Sequence, residues 1–237
     1  MTQPPKKMRY DSQAIVYLAD DLWGTANTLQ RKRVAAGDTE NAFDFDLAKS
    51  RIFAYTQITA LPLEYRQATS RLIILGHGNE ASTFIATATQ GGRSFTPEQL
   101  YAEVKKWLTA SGYKTTRVQR VSLHMCYGGG NRGALPIAGS SNRPGDFTVD
   151  PRTSFAYKLA RICGDLTVDV TARADETNTV SNSSGNVLVS ASRHVGGRHH
   201  AEGDKWRFVT DAASTPENPV NPKVFASYNT PAGQRFR

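Results

Sequence analysis

Leu72-Ile-Ile-Leu-Gly-His-Gly78 sets four aliphatic residues in a row against a glycine, a histidine and a second glycine. An unbroken apolar run of this length, halted by turn residues, reads as a short strand covered on both faces, the kind a parallel sheet uses. Gly76 stops it and leaves His77 just past its end. A second stretch, Val121-Ser-Leu-His-Met-Cys126, repeats the design: a strand over 120–125 runs directly into Cys126, and Gly128, Gly129 and Gly130 open a loop to about Asp150. Between the two lies the best-marked helix of the chain, from Pro97 to about Ala110. Thr96 is its N-cap, Pro97 takes the first helical position and Gln99 completes a capping box. Leu100, Val104, Trp107 and Leu108 form its apolar face, and Gly112 ends it.

Outward from this strand–helix–strand unit the same alternation continues. Ala14-Ile-Val-Tyr-Leu18 is an expected first strand, ending at Asp20-Asp21, with a helix through 28–34. Further strands are expected at 51–56 and 166–171, a hairpin around Phe84–Ala88 and Gly91-Gly92, and a helix from Ser154 to Cys163. Strands alternating with helices imply crossover connections and a mostly parallel sheet with helices on both faces: an α/β fold. After Ala172 the texture changes to β-like segments near 187–190 and 205–209 around an Asn182–Gly185 turn, which reads as a C-terminal β-hairpin flap. The expected organisation is a disordered segment over 1–12, a core over 13–172, the flap region over 173–215 and an extension over 216–237. The extension is rich in Pro and Asn.

The 237 residues carry 29 Lys and Arg against 21 Asp and Glu, a net charge of +8. Such a balance favours an anionic partner, although it also suits a merely soluble basic protein. No run approaches the ~20 apolar residues a bilayer span needs. The first residues hold Pro4, Pro5, Lys6 and Lys7 but no apolar h-region, so no signal peptide is visible. Two cysteines, Cys126 and Cys163, make a disulfide framework implausible in so long a chain and suit a reducing compartment. Cys163 ends an expected helix and reads as core. No aromatic stacking motif supports nucleic-acid binding, which is not expected. His199-His200 lacks Cys or acidic partners at ligand spacing and makes no metal site.

His77 and Cys126 are therefore the candidates for chemistry. In open α/β sheets, ligands bind beyond the carboxyl ends of the strands, where both residues fall. Consecutive elements are commonly neighbours, which brings the two together. A cysteine needs a nearby base to become a thiolate near neutral pH. Gly78 leaves its N–H unobstructed and, with the N–H of Cys126, suits an oxyanion hole. Alone, a Gly-His-Gly is often only a turn and a cysteine at a strand end is usually core. Together, 49 residues apart, they stand close to the ~50-residue spacing of caspases.

Strand–His-Gly, helix, strand–Cys is the signature of the caspase–hemoglobinase fold. Within it, this chain resembles the inducible cysteine protease domains of MARTX toxins and of the large clostridial glucosylating toxins. The resemblance covers roughly residues 8–210. Its opening strand is 9–18, its histidine motif Leu75-Gly-His77-Gly78 and its cysteine motif 121–126. Its next strand is 168–173, and its flap is the Asn182–Gly185 turn followed by Asp204-Lys-Trp206. The resemblance implies an autoprocessing cysteine endopeptidase that cleaves its own parent polypeptide after leucine and is activated allosterically by inositol hexakisphosphate. It further implies a secreted bacterial toxin or effector acting in the host cytosol. It assigns a Cys126–His77 dyad, with Asp21 (Asp20 as the alternative) orienting the histidine. The activator would bind a basic pocket between the first helix and the flap, for which Arg31, Lys32, Arg33, Arg193, Arg198, Lys205 and Arg207 are the candidates.

The chain departs from the family in three places. Met125 stands where the family usually has glycine. Asn186-Val187, rather than a basic residue, follow Gly185. The loop from Tyr127 to Asp150, holding Arg132 and Arg143, is long. Two other readings stay open: a free-standing effector protease acting on a host protein without this activator, and a polyanion-binding module with a degenerate dyad.

Overall fold

The computed structural model describes residues 10–30, 49–78, 82–88, 90–109, 117–126, 128, 151–173, 176–181, 187–195, 198–200 and 205–226; over 176–200 the description is of backbone only. Arg31, Lys32, Arg33, Arg132, Arg143, the Asn182–Gly185 turn and Asn186 lie outside these residues, as does the segment before Tyr10.

The chain runs β1 (Ser12–Tyr17), α1 (Trp23–Gln30), β2 (Ser50–Ala54), β3 (Ser70–Leu75), β4 (His77–Gly78), β5 (Ile85–Ala86), β6 (Ser94–Phe95), α2 (Pro97–Leu108), β7 (Val118–His124), α3 (Phe155–Ala160), β8 (Thr167–Arg173), β9 (Glu176–Ser181), β10 (Val187–Val195), β11 (Arg198–His200), β12 (Lys205–Val209) and β13 (Lys223–Ala226). Seven strands form a central sheet in the order β13-β12-β8-β7-β3-β1-β2. From β8 to β2 every neighbouring pair is parallel; β12 and β13 add antiparallel at the other edge. The molecule is thus α/β with a mostly parallel sheet, as the alternating pattern implies.

Helices cover both faces. Ala14, Val16, Leu72, Ile74, Val121, Leu123, Val170, Trp206 and Phe208 meet the buried faces of α2 and α3 in the main core. The alternate residues Ile15, Ile73 and Leu75 meet Ala26 and Leu29 of α1. The period of two along each strand sends one set to each face. The capping box on α2 is formed: the Gln99 backbone N–H donates to Thr96 Oγ1 and the Thr96 N–H donates to Gln99 Oε1. The expected 84–92 hairpin is present as antiparallel β5 and β6.

Several boundaries differ from the sequence reading: Tyr10 is buried and Ser12 belongs to β1, within the segment expected to be disordered, and α1 begins at Trp23 rather than at 28. Residues 205–209, expected in the flap, form β12 of the central sheet, paired to β8. Trp206 and Phe208 alternate with Arg207 and are buried, which drives that strand onto the core instead. The expected extension from 216 supplies β13, which covers the outer edge of β12. The flap strands are β9, β10 and β11, a separate antiparallel sheet whose β9 backbone lies against α1.

Candidate functional site

The strand order reverses between β1 and β3. The helix after β1 lies on one face and the helix after β3 on the other, so the chain leaves a crevice at the carboxyl ends of these strands, the usual place for a site. Three sequence-singled residues arrive there. Asp21 follows β1 in a short 3-10 turn (Asp20–Leu22) that leads into α1. His77 follows β3, and Cys126 follows β7.

β3 and β7 are parallel neighbours with Leu75 opposite His124, and the Gly76 N–H donates to the His124 carbonyl at 3.2 Å. His77 and Cys126 each stand two residues beyond that pair. Beyond the pair the histidine strand turns away to join β5 as β4, so the approach of the two segments is read from Gly78 and Cys126 rather than from the β3–β7 register. The imidazole Nε2 of His77 lies 3.1 and 3.0 Å from the two carboxylate oxygens of Asp21. Asp21 is therefore the acid on the histidine, and Asp20 makes no such bond among the described residues. His77 is 20% exposed and Asp21 63%, so the pair sits at the lip of the crevice, within reach of solvent. With Nε2 engaged by Asp21, Nδ1 is the ring nitrogen left for the thiol.

Gly78 is where a missing side chain matters most. A Cβ there would collide with the carbonyl oxygen of Cys126 and reach within 3.0 Å of its carbonyl carbon. The histidine strand thus presses its backbone directly onto the backbone of the candidate nucleophile. Met125, in the place where the resembling domains carry glycine, is buried beneath this contact. Its Cε lies 3.0 Å from the Cβ position of Gly78, and its Cγ 2.7 Å from that of Gly128. The thioether fills space that two neighbouring glycines leave open, which is how the larger residue is accommodated. The two loops are tied again at α3: the Phe155 N–H donates to Ser82 Oγ at 2.8 Å and the Ala156 N–H to the Gly128 carbonyl at 3.0 Å.

The two cysteines differ in the way the candidate assignment requires. Cys126 is partly exposed, and Cys163 is buried. Burial, reinforced by the charge of Asp165, pushes the Cys163 thiol well above the ordinary value, so it stays protonated.

A second group of charged residues lies on the α1 face of the sheet: Arg71, Arg120 and Asp169 in the first halves of their strands, and Arg173 at the carboxyl end of β8. Arg71 stands directly opposite Arg120, and Arg120 opposite Asp169. Asp169 is wholly buried. It accepts from Arg120 Nε at 2.6 Å and Nη2 at 3.2 Å, and from Arg207 Nε at 2.8 Å. Arg71 and Arg120 both lie over the Tyr10 ring, with guanidinium carbons 5.2 and 5.6 Å from its centroid, and Arg71 donates to Gln13 Oε1. Burial pulls Arg71 and Arg173 down to about 10. Burial also acts on Arg120, but Asp169 outweighs it and holds that guanidinium above its ordinary value. Burial raises the Tyr10 hydroxyl.

Of the residues expected to hold an anion, Arg207 belongs to this cluster, although on β12 and not on the flap. Arg193 and Arg198 lie in the backbone of β10 and β11, and Lys205 is the register partner of Arg173. Arg71, Arg120, Arg173 and Asp169 were not singled out by sequence. Their signal was available: a charged residue at alternate positions inside otherwise apolar strands, in phase with the face that α1 covers. Among the described residues no group of three or more His, Cys, Asp or Glu side chains gathers to hold a metal, and no helix is long and apolar enough to cross a membrane. No protein-family model matches the chain, and no curated protein matches it.

Proposed function

We propose that this chain is a cysteine endopeptidase of the caspase–hemoglobinase type, with Cys126 as nucleophile, His77 as acid and base, and Asp21 orienting the histidine. The observation that carries the reading is the Asp21–His77 pair set two residues past β3, with Gly78 pressed on the backbone of Cys126 two residues past the adjacent β7.

The chemistry follows from the placement. His77 Nδ1 takes the proton of the Cys126 thiol. The thiolate attacks the scissile carbonyl carbon, and the developing oxyanion is held by the backbone N–H groups of Gly78 and Cys126. The imidazolium, oriented by Asp21 on its other nitrogen, gives its proton to the leaving amine as the C–N bond breaks. Water, deprotonated by His77, then opens the thioester. This releases the acid and restores the thiol. The preference for leucine and the parent polypeptide as substrate rest on the resemblance.

The same proposal includes activation by a polyphosphate such as inositol hexakisphosphate, bound on the α1 face and not at the dyad. Supporting it are Arg71, Arg120, Arg173 and Arg207 on one face of adjacent strands, with two of them directly opposite, a costly placement for like charges. The flap sheet meets α1 beside that face. An anion there that prefers one flap position shifts the population toward it.

The test is labelling of Cys126 by an electrophilic leucyl peptide probe, with and without inositol hexakisphosphate. Labelling that depends on Cys126 and His77 and rises with the polyphosphate supports the full proposal. Labelling indifferent to it leaves the untriggered effector protease. Tight anion binding without labelling leaves the binding module.

A further inference from the structure

We propose that the β2 edge of the central sheet is a docking site for an acidic peptide in extended conformation, separate from the Cys126–His77 crevice. β2 ends the seven-stranded sheet, and among the described residues β1 is its one strand neighbour. Along a parallel strand, alternate residues turn their backbone groups to opposite sides, so an edge strand presents a row of N–H and C=O groups outward.

A groove of about 310 Å³ runs along this edge. Its lining includes four consecutive residues, Arg51, Ile52, Phe53 and Ala54. Side chains of consecutive strand residues point to opposite faces, so a space that touches all four lies beside the strand and not over either face. The other wall is Gln57, Ile58, Ala60 and Pro62, from the segment that leaves β2 through a 3-10 turn (Tyr55–Gln57). That wall is fixed: the Leu61 N–H donates to the Trp107 carbonyl at 2.8 Å, and Ile58 and Leu61 are in the core. A fixed wall beside a strand edge that has no strand partner among the described residues is an arrangement that recognises a peptide by strand addition, with backbone bonds supplying affinity and side-chain contacts specificity.

The charge selects the peptide. Arg51 of β2 is exposed, and so is Lys49 in the turn just before the strand. The Arg51 guanidinium lies 5.4 Å from the Phe53 ring centroid, and Phe53 packs edge-on against Tyr65 at 5.7 Å. The cation is thus held at the rim by a fixed aromatic. A carboxylate side chain of an added strand meets it there. An acidic partner also fits a chain of net charge +8.

The test uses the full chain with Cys126→Ala, so that nothing is cleaved. A phage-displayed random heptapeptide library is selected on it, and the enriched peptides are measured by fluorescence polarisation and amide hydrogen exchange. The expected result is enrichment of Asp or Glu flanked by β-branched residues. Outward amides of 51–54 should exchange fast in the free chain and become protected on binding. Arg51→Glu should weaken binding at least about 10-fold, as loss of a charge-assisted contact and its reversal require, with an unchanged melting temperature. Selection of no acidic peptide, protection at another surface, or amides of 51–54 already fully protected without peptide (by a second copy or otherwise) would overturn it. The readouts do not involve thiol chemistry, so this proposal and the peptidase reading stand or fall separately.

Discussion

Replacing Asp169 by Asn removes one negative charge at constant shape from beneath the arginine cluster. The carboxylate is fully buried and accepts three N–H groups from two arginines, one of which, Arg120, is only 12% exposed. Water therefore screens the pair little. Breaking such a buried pair from one side costs roughly 3–5 kcal/mol, because the guanidinium is left without its counter-charge. For a chain of this size each kcal/mol moves the melting temperature by about 2–4 °C, so Asp169→Asn should melt roughly 6–20 °C lower. The second arm is Asp169→Asn with Arg120→Met, which removes the stranded cation as well. It should recover part of the loss, giving a coupling energy in a double-mutant cycle of about 0.5–3 kcal/mol. The third arm adds inositol hexakisphosphate. With its internal counter-ion gone, the cluster should gain more melting temperature from the polyphosphate than the parent chain gains. Differential scanning fluorimetry at fixed ionic strength reads all three. A single variant that melts within 1 °C of the parent would refute the claim that Asp169 holds this face together. Equal polyphosphate shifts in parent and variant would refute the claim that the anion and Asp169 serve the same arginines.

Asp21→Asn should lower kcat/KM on the order of 10-fold. That is far less than the ~10⁴ of a buried triad aspartate, because this carboxylate is largely exposed; single-turnover kinetics at fixed pH would show the loss. Gly78→Ala forces a methyl group against the Cys126 carbonyl, so labelling of Cys126 should fall about 100-fold, the cost of a misplaced reacting group, at a stability loss of only ~1–3 kcal/mol by denaturant melts. Cys163 should resist iodoacetamide in the native chain where Cys126 reacts, by mass spectrometry. Its thiol is held neutral in the fold and ionises in the unfolded chain above about 9. The Cys163 contribution to stability is therefore full below that pH and declines as pH rises above it, and Cys163→Ala should flatten that decline.

Most of the sheet was legible because its strands advertise themselves. The runs 72–75 and 14–18 are apolar throughout, and a run covered on both faces needs a parallel sheet with helices above and below. The candidate pair His77 and Cys126 was legible for a related reason: glycine and histidine that interrupt an apolar strand mark a place where the chain turns and a polar side chain stands at the sheet's end. What stayed hidden was long-range. Trp206 and Phe208 alternate with charged residues, a pattern equally suited to a flap hairpin or an edge of the main sheet. Pairing with Ala172 and Val170 decides it, and the sequence carries no local record of that partner. The arginine cluster was missed because Arg71, Arg120 and Arg207 come from three strands far apart in sequence; only the register sets Arg71 opposite Arg120 and brings Arg120 and Arg207 to Asp169. Met125 looked like a defect in the cysteine motif until its side chain was seen between Gly78 and Gly128.

The central claim is that Cys126 is a thiol poised by His77 and set to attack a peptide carbonyl. Intact-mass measurement after incubation with an electrophilic leucyl peptide, in the presence of inositol hexakisphosphate, tests it most directly. The account predicts a single adduct, mapped to Cys126, that is lost in His77→Ala and slowed in Asp21→Asn. A chain that forms the adduct equally fast without His77, or forms it at Cys163, would contradict it.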